Sequence, residues 1–159
     1  NMIGPEGERW APLHGMTAHS KVVELHAAVE KLFAANAEKI AEYDVGVGYM
    51  YLTVGAGASL IEPVFFWQDA LKELHLMSVE KNHLNSLKGF EENLEIREFV
   101  AGLRTQLINL FKDHAAVHLQ IGKTYLFAEG LQENSFNMIR SIKNYTDPKN
   151  LINPGSLGL

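Results

Sequence analysis

A chain of 159 residues that is 47% hydrophobic and carries a net charge of −5 has the length of one domain, and it is too apolar for disorder. Acids and bases are interspersed, and no basic stretch is interleaved with aromatics, which argues against nucleic acid as a partner; no apolar run nears the roughly 18–20 residues of a membrane span. Cysteine is absent, which removes disulfides, thiolate metal sites and cysteine nucleophiles and makes a cytoplasmic location the expectation, with a periplasmic one left open. The opening NM ahead of IGPEGERW reads as a cloning scar and an internal start, so a longer parent chain is expected.

In chain order, ERWAPLH (8–14) is short and extended, since Pro12 forbids a helix centre, and 15–19 is a loop. Ser20 is the expected N-cap of a helix running to Tyr43, with Val22, Leu25, Val29, Leu32 and Phe33 on one stripe. VGVGYMYLTVG (45–55) and SLIEPVFFW (59–67) have strand composition and a short glycine-containing link, which makes them a hairpin; Pro63 places the second at an edge or a bulge. Residues 68–93 are an excursion with weak helical character. A helix is expected over 94–114, a third long strand over 116–127, and a short helix over 135–145. The order is β-α-β-β-α-β-α: an α+β, ferredoxin-like βαββαβ antiparallel sheet with helices on one face, followed by a short helix and a tail.

Period-two alternation puts Val117, Leu119 and Ile121 on the helix side of the last strand, with His118 and Gln120 opposite. Gly46, Gly48, Met50 and Leu52 are assigned to the helix side as well. Val47, Tyr49, Tyr51 and Thr53 then share the other face with His118 and Gln120, as the wall of a pocket. His118, Gln120, Lys123 and Tyr125 form the best polar cluster: an imidazole moves protons near neutral pH, and a phenol or ammonium steadies an oxyanion. A histidine merely satisfied at a sheet surface accounts for the same residues. The other histidines lack the spacing of a metal site, and no HExxH is present, so no protein-held metal is expected. The glycines of VGVG and GAGA do not lie between a strand and a helix, and GKT (122–124) lacks the first P-loop glycine.

The closing DPKNLINPGSLGL is stiff, turn-rich and apolar. Asp147-Pro148 ends the last helix and Asn153-Pro154-Gly155 makes a turn, so Leu151, Ile152 and Leu157 are apolar because they pack on something. DPKNLINPG resembles the closing signature of the FAD-linked oxidases of the vanillyl-alcohol oxidase and 4-cresol dehydrogenase superfamily. RWAPLHGMTAHS, VGYMYLTVG, EPVFFW and VHLQIGKTYLF are similar to that family's cap domain.

The resemblance implies that 1–159 is a single C-terminal cap (substrate) domain of a larger flavoprotein, inactive alone. Its 147–159 tail would dock on a missing FAD-binding domain, with Asn153 near the cofactor. FAD would be held mainly by that domain, covalently through an upstream residue, His14 or His19, or not covalently. The substrate would be a hydroxylated organic molecule, a phenolic or aromatic alcohol for preference, with His118 and Tyr51 catalytic and Tyr49, Gln120, Lys123 and Tyr125 binding it. A cytochrome or another electron acceptor, and a second copy of the chain, are further partners in this view. The HGDGN-x-H motif of the D-lactate and glycolate oxidase branch is missing, with HLQIGKTY near its place, so a 2-hydroxy-acid dehydrogenase cap is the alternative within the family. A stand-alone ferredoxin-like ligand-binding or dimerisation module is the alternative outside it, and an enzyme using His118 with Lys123 is a third reading.

Overall fold

The core forms where apolar stripes of two helices meet one sheet. In the computed structural model, which describes residues 2–120 and 122–159, α5 (Leu94–Asp113) buries Ile96, Val100, Leu103, Leu107 and Phe111, each three or four residues apart. Asn93 caps it, its side-chain oxygen accepting the Ile96 N–H at 3.0 Å. In α1 (Val22–Ala35), Leu25, Val29 and Phe33 do the same. Each fully buried Leu or Phe here contributes roughly 1.5–3 kcal/mol. Ser20 is not the cap: it lies in a short turn, His19–Lys21, one step before α1. The expected single helix breaks at Asn36, whose side-chain amide donates to the Leu32 carbonyl at 2.8 Å, and α2 (Ala37–Glu42) follows.

Among the described residues, five strands build an antiparallel sheet: β1 (Met2–Ile3), β2 (Arg9–Pro12), β3 (Gly15–Ala18), β4 (Gly46–Val54) and β5 (Ala58–Trp67). β4 and β5 make the expected hairpin, in register from Gly46↔Phe66 to Val54↔Ala58. The other side of β5 is shared end to end by β2, from Arg9↔Trp67 to Pro12↔Val64, and β3, from Gly15↔Ile61 to Ala18↔Ala58. The predicted loop at 15–19 is therefore a strand over most of its length. Pro63 lies in the central strand rather than at an edge. It is tolerated because it faces the joint between β2 and β3, where only its carbonyl is used, accepting the Leu13 N–H at 3.0 Å.

The predicted strand at 116–127 shrinks to one bridge. Met16 and Val117 exchange both backbone hydrogen bonds, at 2.7 and 2.9 Å. Counting that bridge as the fourth strand, the lateral order is Val117, β3, β5, β4, which is the ferredoxin-like order of an α+β fold. Past Val117 the amides of Leu119 and Gln120 turn to the ring of His14 instead of a ladder, so no strand continues among the described residues. Ile121, expected on that strand's apolar face, lies outside the described residues.

The two faces are reversed relative to the sequence reading. Ile61, Phe65 and Trp67 of β5 join Val47 and Tyr49 of β4 beneath the helices. Gly46, Gly48, Met50 and Leu52 pair with Phe66, Val64, Glu62 and Leu60 on the outer face. The glycines make room for a ring and not for a helix: a Cβ on Gly46 would stand 3.3 Å from the Phe66 Cβ, and one on Gly48 3.4 Å from its ring.

The excursion holds two short helices, α3 (Glu73–Ser78) and α4 (Lys81–Ser86). It is anchored by Asp69, 2% exposed, which takes a two-pronged grip from Arg97 and accepts the N–H groups of Ala70 at 2.8 Å and Asn93 at 3.1 Å. α6 (Glu133–Thr146) buries none of its residues. No helix among the described residues is long and apolar enough to cross a membrane.

Candidate functional site

The site centres on a residue that sequence reasoning passed over except as a flavin attachment point. His14 follows Leu13 at the joint between β2 and β3 and is only 3% exposed. Its Nε2 accepts the N–H of Leu119 at 2.7 Å and of Gln120 at 3.3 Å. A ring nitrogen that accepts carries no proton, so in the neutral ring Nδ1 bears it and donates to the Tyr125 hydroxyl, 2.9 Å away. The Tyr125 O–H is then directed to the Gln120 Oε1 at 3.4 Å. Burial, and secondarily the neighbouring His118 ring, hold the His14 imidazole down at about 4, so it is neutral at pH 7.

His118 completes the cluster. Its Nδ1 donates to the His14 carbonyl at 2.6 Å, and its ring packs on Tyr125 at 4.3 Å between centroids and edge-on to Phe111 at 6.1 Å. With Nδ1 committed, Nε2 keeps a lone pair and makes no hydrogen bond to a described residue. Burial lowers the His118 pKa, the bond to the His14 backbone opposing it, and burial raises that of Tyr125. His118, Gln120 and Tyr125 line a cavity of about 120 Å³ with Leu126, Phe127 and Leu131. An enclosed cavity of about 150 Å³ takes a benzene ring, so this hollow is too small for a substituted aromatic unless a second surface extends it.

The structure brings together three of the predicted residues, His118, Gln120 and Tyr125, and separates the others. Tyr49 and Tyr51 do not face His118. They lie on the helix side of β4, stacked on each other at 5.7 Å; Tyr49 donates to Glu30, and Tyr51 bonds the His26 Nδ1 at 3.0 Å, both partners on α1. The separation follows from the lateral order, which sets β4 and Val117 at opposite edges of the sheet. Burial first, and then Glu30, push both phenols above their ordinary range, opposite to what a proton-shuttling tyrosine needs. Lys123 lies along the tail turn, its Nζ 3.9 Å from where a Gly155 Cβ would stand.

Asn153 sits in that turn with a left-handed backbone, φ 47°. The tail is ordered by Asp147, which accepts the N–H groups of Leu151 and Ile152, both at 2.9 Å, and pairs with Lys143. These partners, Lys143 first, hold the Asp147 carboxyl at about 2. Beyond the turn, Leu157 N–H donates to the Gly122 carbonyl at 3.0 Å, so the tail packs on its own chain near 122–128. Leu151 and Ile152 stay 75% and 65% exposed.

A larger groove, of about 720 Å³, opens between β3, the start of α1 and the end of α5. Lys21 pairs there with Glu24 at 2.9 Å, His114 Nδ1 lies 3.9 Å from the same carboxylate, and none of the predicted site residues lines it. Among the described residues, no three His, Asp or Glu side chains converge as a metal site would require. No family model, no curated protein and no solved structure matches the chain.

Proposed function

We propose that this chain is the substrate-side cap of an FAD-dependent oxidoreductase acting on a hydroxylated organic molecule, a phenolic or aromatic alcohol for preference. The observation that carries it is the His118 imidazole, held by the His14 carbonyl and set with Tyr125 and Gln120 on a small hollow. Across the sheet, Met50 and Leu52 of β4 stand 43% and 46% exposed beside Phe66, while Leu60 and Val64 of β5 are covered, so the exposed strip fits the surface of a partner domain. It does not fit the holding of a dinucleotide's phosphates, which would fall to a flavin-binding partner domain. The closing DPKNLINPG supports the same reading through its resemblance to the FAD-linked oxidases.

The bound flavin would supply hydride acceptance. The chain's own share is proton handling and orientation. His118, neutral and with its Nε2 bonded to no described residue, takes the proton of a substrate hydroxyl. The His14 carbonyl fixes that ring, and His14, Tyr125 and Gln120 hold the loop that carries it. The 120 Å³ hollow accepts one edge of the substrate while the partner surface closes over the rest. Tyr51 has no catalytic part in this scheme.

The test is the product of the intact reading frame that encodes these residues. Purified, it should carry FAD that is bleached anaerobically by an aromatic alcohol, more slowly in His118→Gln. Absence of flavin overturns the reading, and bleaching by D-lactate alone moves it to the 2-hydroxy-acid branch. A second reading, a self-contained ferredoxin-like ligand-binding module, draws on two observations. The tail turns back onto residues 122–128, and both β4 tyrosines are used by α1. It is favoured if the intact product is flavin-free and stably folded.

A further inference from the structure

Strand directions identify a surface that neither reading uses. The Pro63 carbonyl is taken by Leu13, on the β2–β3 side of β5. Backbone groups alternate sides along a strand, so Leu60, Glu62, Val64 and Phe66 direct theirs toward β4. Met16 agrees: paired with Leu60, it sends its own groups away from β5, to Val117. In β4 the residues bonded to β5 are therefore Gly46, Gly48, Met50, Leu52 and Val54, while Val47, Tyr49, Tyr51 and Thr53 point their N–H and C=O groups off the sheet. Among the described residues, none of those four has a backbone hydrogen-bond partner there.

This free edge is nine residues long, GVGYMYLTV, with no charge and no proline. Edges of that kind are ordinarily blunted with lysine, proline or a bulge, because an unblunted edge pairs with another strand. We infer that it pairs with β4 of a second copy of this chain, antiparallel, about a two-fold axis passing between the two Met50 residues. The register is self-complementary. Val47 meets the partner's Thr53 and Tyr49 meets the partner's Tyr51, so the four outward N–H groups of each copy find the four outward carbonyls of the other. Tyr49 and Tyr51, already stacked within one chain, continue into a ladder of four rings across the axis. No like charges are brought together on the strand. The strand leaves apolar area to bury: Met50, Tyr51 and Leu52 stand 43%, 51% and 46% exposed in the single chain. The inference does not rest on the cap reading.

Charge at the axis tests it. Met50→Lys and Met50→Glu each put two like charges opposite one another on a half-exposed face and should weaken self-association about fivefold or more by sedimentation velocity. An equimolar mixture of the two should regain dimer at or above the wild-type level, with Met50→Gln as the neutral control. Amide exchange on the unaltered protein needs no variant: raising the concentration from micromolar to millimolar should slow exchange at Val47, Tyr49, Tyr51 and Thr53 and leave Gly48 and Met50 unchanged. A monomer throughout that range, charged variants that dimerise as tightly as wild type, or a mixture no better than its components would overturn the proposal. Even if a charged variant unfolds, the exchange pattern decides.

Discussion

Gly15→Ala ties the site to the core through one methyl group. Gly15 opens β3, and a Cβ there would lie 2.7 Å from the Phe111 Cδ1 and 2.9 Å from its Cγ and Cε1. Carbon atoms settle at about 3.5–4.0 Å, so ring and strand must part by roughly 0.8 Å or more. Phe111 is fully buried at the end of α5 and cannot swing into solvent. Overpacking of this kind costs about 1–3 kcal/mol. At about 2 kcal/mol, and an m-value near 2 kcal/mol/M, the urea midpoint should fall by about 1 M. The Tm should fall by about 4–8 °C. The assay is urea unfolding followed by far-UV circular dichroism and tryptophan fluorescence, run as a double-mutant cycle with Phe111→Leu. If the methyl–ring clash is the cause, Gly15→Ala should cost less by at least about 1 kcal/mol in the Phe111→Leu background. A variant within about 0.5 kcal/mol of wild type, or one equally costly in both backgrounds, would refute the reasoning.

Three further outcomes are expected. His14 has a folded pKa of about 4 against an ordinary value of 6.5, so the unfolded chain binds the extra proton first. Its contribution to stability is complete above pH 6.5 and is lost as pH falls toward about 4; His14→Gln should flatten that part of the Tm-versus-pH curve, and an unchanged curve would count against the assignment. Asp147→Ala removes the acceptor for Leu151 and Ile152, so the tail should be clipped by a nonspecific protease faster than in wild type while the Tm of the sheet stays put. Asp69→Ala leaves Arg97 and two amides without their acceptor; because Arg97 reaches water, the loss should be about 2 kcal/mol rather than the ~3–5 of a wholly buried pair, measured by urea unfolding.

What the sequence disclosed was the part governed by periodicity. The stripes of α1 and α5 and the composition of β4 and β5 gave the element order and the α+β class. Period two locates alternation but not its sign: Val-Gly-Val-Gly reads equally well with either set inward, and Phe66, a cross-strand neighbour, decides it. The last strand failed for a different reason. Val117–Gln120 alternates well, yet its amides are claimed by an imidazole about a hundred positions earlier, which no local pattern announces. His118, Gln120 and Tyr125 were found because they are close in sequence. His14 was not placed among them because what marks it is burial.

Asp147 ends α6 and also receives the first amides of the tail, while Lys143, one helical turn back, reaches both its carboxylate and the Ile152 carbonyl. Helix and tail are thereby welded at one carboxylate into a single lever, with Met138, Ile142, Tyr145, Leu151 and Ile152 all open to solvent along it. A grip on the greasy end of that lever would load the hydrogen bond from Leu157 to the Gly122 carbonyl, where the end of the chain is fastened.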